Sequence, residues 1–572
     1  MSKGIFVLTP GVTGRVYEQF VKQGGSKKLP QRIMSREAAV FTSEAKLKAL
    51  IANRLGWTDV ATAMRKQIPM IEKFGSKVIA DGIQHIVLIG MGGSSLCPEL
   101  FGRVFGRHPK IKSYHVLDST DPITVAAVDR QIELRKSLFI VASKSGGTIE
   151  TRSHEAYFLM RMDQAQVKNP GSHFAVITDK GSELEAFAKK KKYRRIFINP
   201  SDIGGRYSAL SFFGLVPAFF AGVNLSRLID QTIATECLLR ERSGELNHGL
   251  ALGSLLAAAW KQGRDKLTFM ASKKTAPFVP WVEQLIAEST GKQKRGIVPI
   301  ENEFPLQAAR YGQDRIFVFF RMHGESDRHR ALMVKLIGMK VPVVEIMLDS
   351  SYDLGSQFLI WETATAVAGW FMKINPFDEP NVTESKENTK AILAGFEKIG
   401  RMPIGEPRAV HDHLTLLIDD RSRPRSDGKN GSLPATLSRL LKQAKPPKYL
   451  AILNYFTSDD QTETALEKIR KQIGDRTGIA TLRGYGPRFL HSIGQLYKGG
   501  PQDGLFIVFV RNHYASLPIP GQPFDFGQLI SAQAIGDTQA LIKRKLPVLL
   551  IGVDSFPGQA LREVHSLIRS LK

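Results

Sequence analysis

The chain has 572 residues, 43% apolar and 23% charged, with 79 Lys and Arg against 54 Asp and Glu, a formal net charge of +25. That length gives room for about three domains at roughly 100–200 residues each, or for two large ones. The composition excludes a mostly disordered chain, a collagen-like chain and a disulfide scaffold. The two cysteines, Cys97 and Cys237, are too few for a structural zinc site and fit a reducing compartment.

Residues 1–60 read as a peripheral segment of turns and helices, and their first apolar stretch, broken at Pro10, does not read as a secretory signal. A cytoplasmic location is therefore expected. From 61 to 243 the pattern is that of a first α/β domain. The short apolar runs at 85–90, 114–117, 138–142, 174–178 and 195–198 predict buried parallel strands with helices between them. Residues 207–226 carry no charge and are long enough to span a membrane, but Ser208, Ser211, Pro217 and Asn224 favour a buried core helix and no membrane contact. Runs at 266–271, 315–320 and 341–347 predict a second domain over 244–399. Residues 400–446, rich in Pro, Arg, Ser and Gly, read as a linker or insertion. Runs at 449–453, 505–510 and 546–551 predict that 447–572 completes the second domain. The fold class is α/β, with two doubly wound domains whose mainly parallel sheets are flanked by helices.

Three basic runs, at 189–195, 421–425 and 543–545, read as solvated helix ends or loops. No zinc-finger spacing or aromatic RNA-binding signature accompanies them, so no specific nucleic-acid partner is expected. The positive balance suits an anionic substrate.

Two loops carry the chemistry of such a substrate. Gly90-Met-Gly92-Gly93-Ser94-Ser95 follows the first strand and opens a helix. It matches neither the dinucleotide fingerprint nor a Walker loop, and reads equally as a tight turn or a ligand loop. Ser143-Lys144-Ser145-Gly-Gly147-Thr148-Ile-Glu-Thr151 follows a later strand in the same way. Its hydroxyls, its lysine and the helix start behind it suit a phosphate monoester. Two such loops at strand C-terminal ends fit one crevice of an open sheet. Arg206, in Gly204-Gly-Arg-Tyr-Ser208, is either an anchoring charge or a ligand group. Gln284 and Glu288 lie four apart on one helix face, ended by Gly291. Taken singly, Glu288 reads as a surface charge and His491 as a structural histidine.

In combination these motifs resemble the phosphoglucose isomerase (glucose-6-phosphate isomerase) family, built on two sugar-isomerase (SIS) domains. The resemblance is carried by Gly92-Gly93-Ser94, by Ser143 to Thr151, by Gly204 to Ser208 and by Gln284-x-x-x-Glu288-Ser-x-Gly-Lys292. Further along it is carried by Asn375-Pro-Phe-Asp-Glu379 through Lys386 and by His491-x-x-x-Gln495-Leu. In the usual family order the histidine motif precedes the lysine motif. Here His491 follows Lys386, as in the isomerase half of transaldolase–phosphoglucose isomerase fusions. Gly147 stands where threonine is usual and Glu379 where glutamine is usual. The resemblance implies a homodimer that interconverts glucose 6-phosphate and fructose 6-phosphate without metal or organic cofactor, with a transaldolase as a possible partner enzyme. It implies Glu288 as the base, Arg206 as the group stabilising the enediolate, and His491 with Lys386 opening the sugar ring. Gly93, Ser94, Ser143, Lys144, Ser145, Thr148 and Thr151 would hold the phosphosugar, with Gln284 and Glu379 beside it. An isomerase of another phosphosugar, such as mannose 6-phosphate, and a non-catalytic sugar-phosphate sensor are the competing readings.

Overall fold

The computed structural model describes residues 4–400, 402, 407–419, 432–554 and 556–571. The N-terminal strand β1 (Ile5–Thr9) is followed by a first sheet built from β2 (His85–Gly90), β3 (Ser113–Leu117), β4 (Ser137–Ala142), β5 (Phe174–Asp179) and β6 (Arg195–Asn199). All its pairings are parallel, in the order β3-β2-β4-β5-β6. Every position of β2 and β4 is buried, because helices cover both faces and no polar alternation is needed. Helix α1 (Leu96–Phe105) follows β2 and helix α2 (Ile149–Gln164) follows β4.

The uncharged stretch 207–226 holds a nine-residue core helix, α3 (Phe212–Phe220), with Pro217 inside it. Among the described residues no helix is long and apolar enough to cross a membrane.

A second sheet takes β7 (Lys266–Ala271), β8 (Val298–Ile300), β9 (Arg315–Met322) and β10 (Val343–Leu348) in the order β1-β10-β9-β7-β8. Between β7 and β8 runs α4 (Val279–Thr290), and α5 (Leu354–Met372) follows β10. The segment 1–60 is thus more than peripheral, since β1 pairs antiparallel along β10 and closes that edge.

Helix α6 (Val382–Ile399) leads to a third sheet, where the sequence predicted only completion of the second. It comprises β11 (Ala409–His411), β12 (Leu414–Asp419), β13 (Tyr449–Tyr455), β14 (Ala480–Tyr485), β15 (Gly504–Arg511) and β16 (Val548–Val553), in the order β11-β12-β16-β15-β13-β14. The edges of the second sheet are taken by β1 and β8, so the later strands pair among themselves. Two of them, β11 and β12, come from the stretch read as a linker. The basic run at 421–425 lies outside the described residues. The other two runs sit at helix ends, with Lys189 and Lys190 in the last turn of Glu183–Lys190 and Lys543 at the end of α7 (Phe526–Lys543), where cations meet the negative end of the helix dipole favourably.

The first two sheets share one apolar core, in which Leu88 and Ile140 join Phe269, Trp281 and Trp361. Helix α7, from the third unit, packs Phe526, Leu529 and Ile535 onto the other face of the first sheet. In each sheet the first parallel strand, β2, β7 or β13, is flanked on one side by its successor and on the other by the strand after that. Each therefore has a topological switch point, where ligands of open α/β sheets bind.

Glu362, on α5, is 1% exposed, and neither carboxyl oxygen has a hydrogen-bond partner among the described residues. Burial alone pushes this carboxyl well above its ordinary range. In the unfolded chain it ionises near pH ~4.3. A group with a raised folded pKa loses stability as pH climbs from the unfolded value toward the folded one. Glu362→Met removes both this titration and an unsatisfied polar group, worth about 1–3 kcal/mol. Urea denaturation is expected to show the variant more stable than the parent, with a larger gain at pH 8 than at pH 5. Equal stability at both would show that Glu362 has a partner.

Candidate functional site

At the switch point of the first sheet, Gly90 of β2 pairs in register with Ala142 of β4. The two predicted ligand loops therefore leave the sheet side by side. The helices after β3 and β5 are capped by the side chains of Asp121 and Ser182. The helices after β2 and β4 have no side-chain cap, which leaves N–H groups at both starts open to an anion. Ser143 Oγ lies 3.1 Å from Thr148 Oγ1 and accepts from the N–H of Gly146 at 3.2 Å. Ser145 is exposed at the loop tip. Thr151 is fully buried one turn into α2, and its hydroxyl has no partner among the described residues. Lys144 is engaged elsewhere, its ammonium donating to Asp179 and to the carbonyl of Ser201.

The corresponding positions of the other two sheets are filled by the chain itself. After β7, Glu325 accepts from the Ser272 hydroxyl and the N–H of Lys274. After β13, Asp121 accepts from the N–H and hydroxyl of Thr457. A carboxylate already stands in both places, so the first sheet holds the anion position that remains open.

Helix α4 brings the second group of residues to this crevice. Pro280 starts it and Gly291 ends it, as its sequence predicts. Gln284 Nε2 donates to Glu288 Oε2 at 3.0 Å and to the carbonyl of His491 at 2.8 Å. Its Oε1 is buried without a partner among the described residues. Burial holds the Glu288 carboxyl above the ordinary range, with Glu379 adding to the shift and Arg206 opposing it.

Arg206 is 2% exposed and lies 3.3 Å from Glu288 Oε1 and 3.0 Å from Glu379 Oε2. Its other N–H groups donate to Ser289 Oγ and to the carbonyls of Pro376 and Asp378. The residue is both an anchor and a charge facing the carboxylates. Glu379 would rise by burial, but the Arg206 guanidinium brings it below the usual range. It is therefore an ionised partner of Arg206.

Lys292 enters the sequence reading only as the last residue of a motif. It donates to the carbonyls of Asn375 and Asp378 and to the Asp378 carboxylate at 2.6–2.8 Å. Burial and Arg206 lower its ammonium to about 8 against the pull of Asp378. It fastens the 375–379 turn to the end of α4.

His491 arrives from the third unit on a turn after β14. Its Nε2 lies 3.1 Å from Glu150 Oε1, in the first turn of α2. Glu150 is 4% exposed and also accepts from Gln533 Nε2 of α7. Glu150 was not singled out from the sequence. The signal was a carboxylate placed directly behind the hydroxyl loop, and its contact with His491 spans 341 residues. Gln495 ties the histidine turn to Asn381 and to the carbonyl of Gly291. Lys386 lies on α6, and its side chain is outside the described residues.

Two glycines let these elements close. Gly92 has φ +54°, and a Cβ there would stand 2.4 Å from the carbonyl oxygen of His491. A Cβ on Gly93 would stand 2.0 Å from the Gly205 oxygen. Ser94, the residue after it, is half-buried in the same loop. Gly93→Ala must separate two backbones. It is expected to cost roughly 1–3 kcal/mol of stability and to lower kcat/KM at least tenfold (about 1.4 kcal/mol), read by thermal unfolding and steady-state kinetics. Unchanged values for both would show that the two loops do not pack this closely.

A family model described as phosphoglucose isomerase matches residues 57–302. Among curated relatives, glucose-6-phosphate isomerase of Methanocaldococcus jannaschii is 26% identical over 341 residues, 54% of this chain and 84% of that one. The Thermus thermophilus glucose-6-phosphate isomerase is 28% identical over 55% of this chain and 84% of its own. The enzyme of that name from Prochlorococcus marinus is 26% identical over 63% and 78%. Among solved structures, a hypothetical protein from Thermus thermophilus aligns with TM-score 0.57 and 24% identity, covering 68% of this chain and all of that one. It shares the fold.

Proposed function

We propose, from the match of residues 57–302 to the phosphoglucose isomerase family model and the geometry of the site, that this chain is a member of that family and interconverts glucose 6-phosphate and fructose 6-phosphate. The observation that carries the reading is the convergence of an uncapped hydroxyl loop, a buried carboxyl and a buried guanidinium on one crevice. The phosphate sits on the N-termini of α1 and α2 among Ser94, Ser143, Ser145 and Thr148. His491, backed by Glu150, passes a proton to the ring oxygen with Lys386 as its companion, and the chain form opens. Glu288 takes the proton from C2 of the aldose and returns it to C1, or the reverse. Its raised pKa suits a base that must hold the proton between the two steps. Negative charge developing on the two oxygens of the cis-enediolate faces Arg206, which is already ordered and dry. Gln284 holds Glu288 in line, and Glu379 keeps Arg206 in place beside the sugar. Gly93 lets the loop close over them.

Ser143→Ala removes an acceptor that orders the loop and a donor to the phosphate. It is expected to raise KM for fructose 6-phosphate about tenfold with a smaller change in kcat. An unchanged KM would place the phosphate elsewhere.

The activity itself is tested by product analysis with fructose 6-phosphate and mannose 6-phosphate side by side. Glucose 6-phosphate formed from the first is the expected result. Turnover of mannose 6-phosphate alone would reassign the substrate, and binding without turnover would leave a sensor. The family resemblance further supports a homodimer acting beside a transaldolase. Light scattering at twice the 63.5 kDa chain mass tests the dimer.

A further inference from the structure

Where the three sheets meet, behind the histidine turn, lies a separate cavity of about 330 Å³. Its walls come from α1 and the end of β3, from the start of α4 and the end of β8, and from the ends of β13 and β14. None of the residues placed above in phosphate binding or proton transfer lines it.

Five carboxylates and three guanidinium groups do line it. Arg488 is shared between Glu99 and Asp118, and Arg103 reaches Glu99 at 3.8 Å. Arg483 is shared between Glu463 and Glu301. Three cations therefore serve four carboxylates. The fifth, Glu283, is 9% exposed and has no hydrogen bond or ion pair among the described residues. One oxygen of Asp118, the one 3.4 Å from Arg488, is buried without a hydrogen bond. Arg470, outside the lining, also acts on Glu283 and Glu301, so in a chain of net charge +25 five carboxylates here meet four guanidinium groups.

An anion would add to that surplus. No group of three or more His, Cys, Asp or Glu among the described residues is arranged to hold a metal ion. An ammonium group would give Glu283 the charge-assisted hydrogen bond it lacks. Phe456, Tyr485 and Phe489 also line the cavity, and their rings suit the carbon chain and the cation together.

We propose that this cavity binds a small organic cation, a primary ammonium on a short carbon chain, held by Glu283 and Asp118. The site is independent of the isomerase chemistry, though Glu283 precedes Gln284 and Ser492 follows His491 in the wall. Burial, with Glu301 adding to it and Arg488, Arg470 and Arg483 opposing it, pushes the Glu283 carboxyl well above its ordinary range. An arriving ammonium favours the ionised carboxylate, so its binding is coupled to loss of the proton that burial favours.

The test is calorimetric titration of the full chain with 1,4-diaminobutane, with 1,4-butanediol and magnesium chloride as controls. The expected result is one diamine bound per chain with Kd below about 1 mM, no binding of the diol or of magnesium, and affinity lowered about tenfold or more in Glu283→Gln. Absence of diamine binding, equal binding of the diol, binding of magnesium in its place, or an unchanged affinity in Glu283→Gln would overturn the proposal. Should that variant fail to fold, the parent is titrated in two zwitterionic buffers of different ionisation enthalpy. A heat that differs by the release of a proton supports the site, and a heat identical in both refutes it.

Discussion

Glu288→Gln is expected to lower kcat by on the order of 10³-fold or more while leaving KM for fructose 6-phosphate within a few fold. The substitution keeps the shape of a side chain that is 13% exposed and held from both ends, by Gln284 at one oxygen and Arg206 at the other. What it removes is the capacity to take a carbon-bound proton and return it. Because the proposed phosphate contacts lie on other residues, KM should move little. The parent's acid limb carries a second signature. Burial raises the Glu288 carboxyl, so activity should fall, as pH is lowered, at a point above the ~4.3 of a free glutamate. A variant with near-parental kcat, or an acid limb at the free value, would remove Glu288 from the proton transfer.

Arg206→Ala is expected to depress turnover strongly and to destabilise the fold together. Arg206 is buried against two carboxyl groups, a hydroxyl and two carbonyls. Removing one partner of a buried pair costs about 3–5 kcal/mol, because Glu288 and Glu379 are left facing one another. Loss of a preorganised charge at a developing oxyanion costs roughly 10²–10³ in kcat. The two effects separate in Arg206→Lys. An ammonium restores charge but not the fork that serves five acceptors, so stability should partly return while kcat stays depressed. Steady-state kinetics beside urea denaturation reads both. Full activity in the lysine variant would show that charge alone matters at this position.

How much of this was legible in the sequence depended on how local the signal was. The runs at 85–90 and 138–142 gave β2 and β4 within a residue, since a strand buried on both faces needs no partner to be recognised. The hydroxyl loop, the 284–292 helix and its Gly291 terminus were equally local. What failed was non-local. Nothing in the runs at 449–453 or 505–510 tells which sheet they join, and β1 finds β10 across more than three hundred residues. The strand β14, with Arg483 and Gly484 in it, and the short β8 carry too little apolar signal to stand out. At the site, Glu288 looked like a surface charge because helix spacing shows its neighbour Gln284 but not Arg206. Lys144 looked like a phosphate ligand because its partner Asp179 lies on the next strand. Glu150 was missed because its meaning depends on His491, which arrives from a different sheet.

The most direct measurement is isomerisation of fructose 6-phosphate in D2O, parent beside Glu288→Gln, with the product glucose 6-phosphate read by NMR at C2. Proton transfer through an enediolate on an exchangeable carboxyl predicts deuterium at C2 in the parent, and neither product nor exchange in the variant. Product formed at a near-parental rate by Glu288→Gln, or product that gains no solvent deuterium through repeated turnover, would contradict a carboxylate-borne proton at this site.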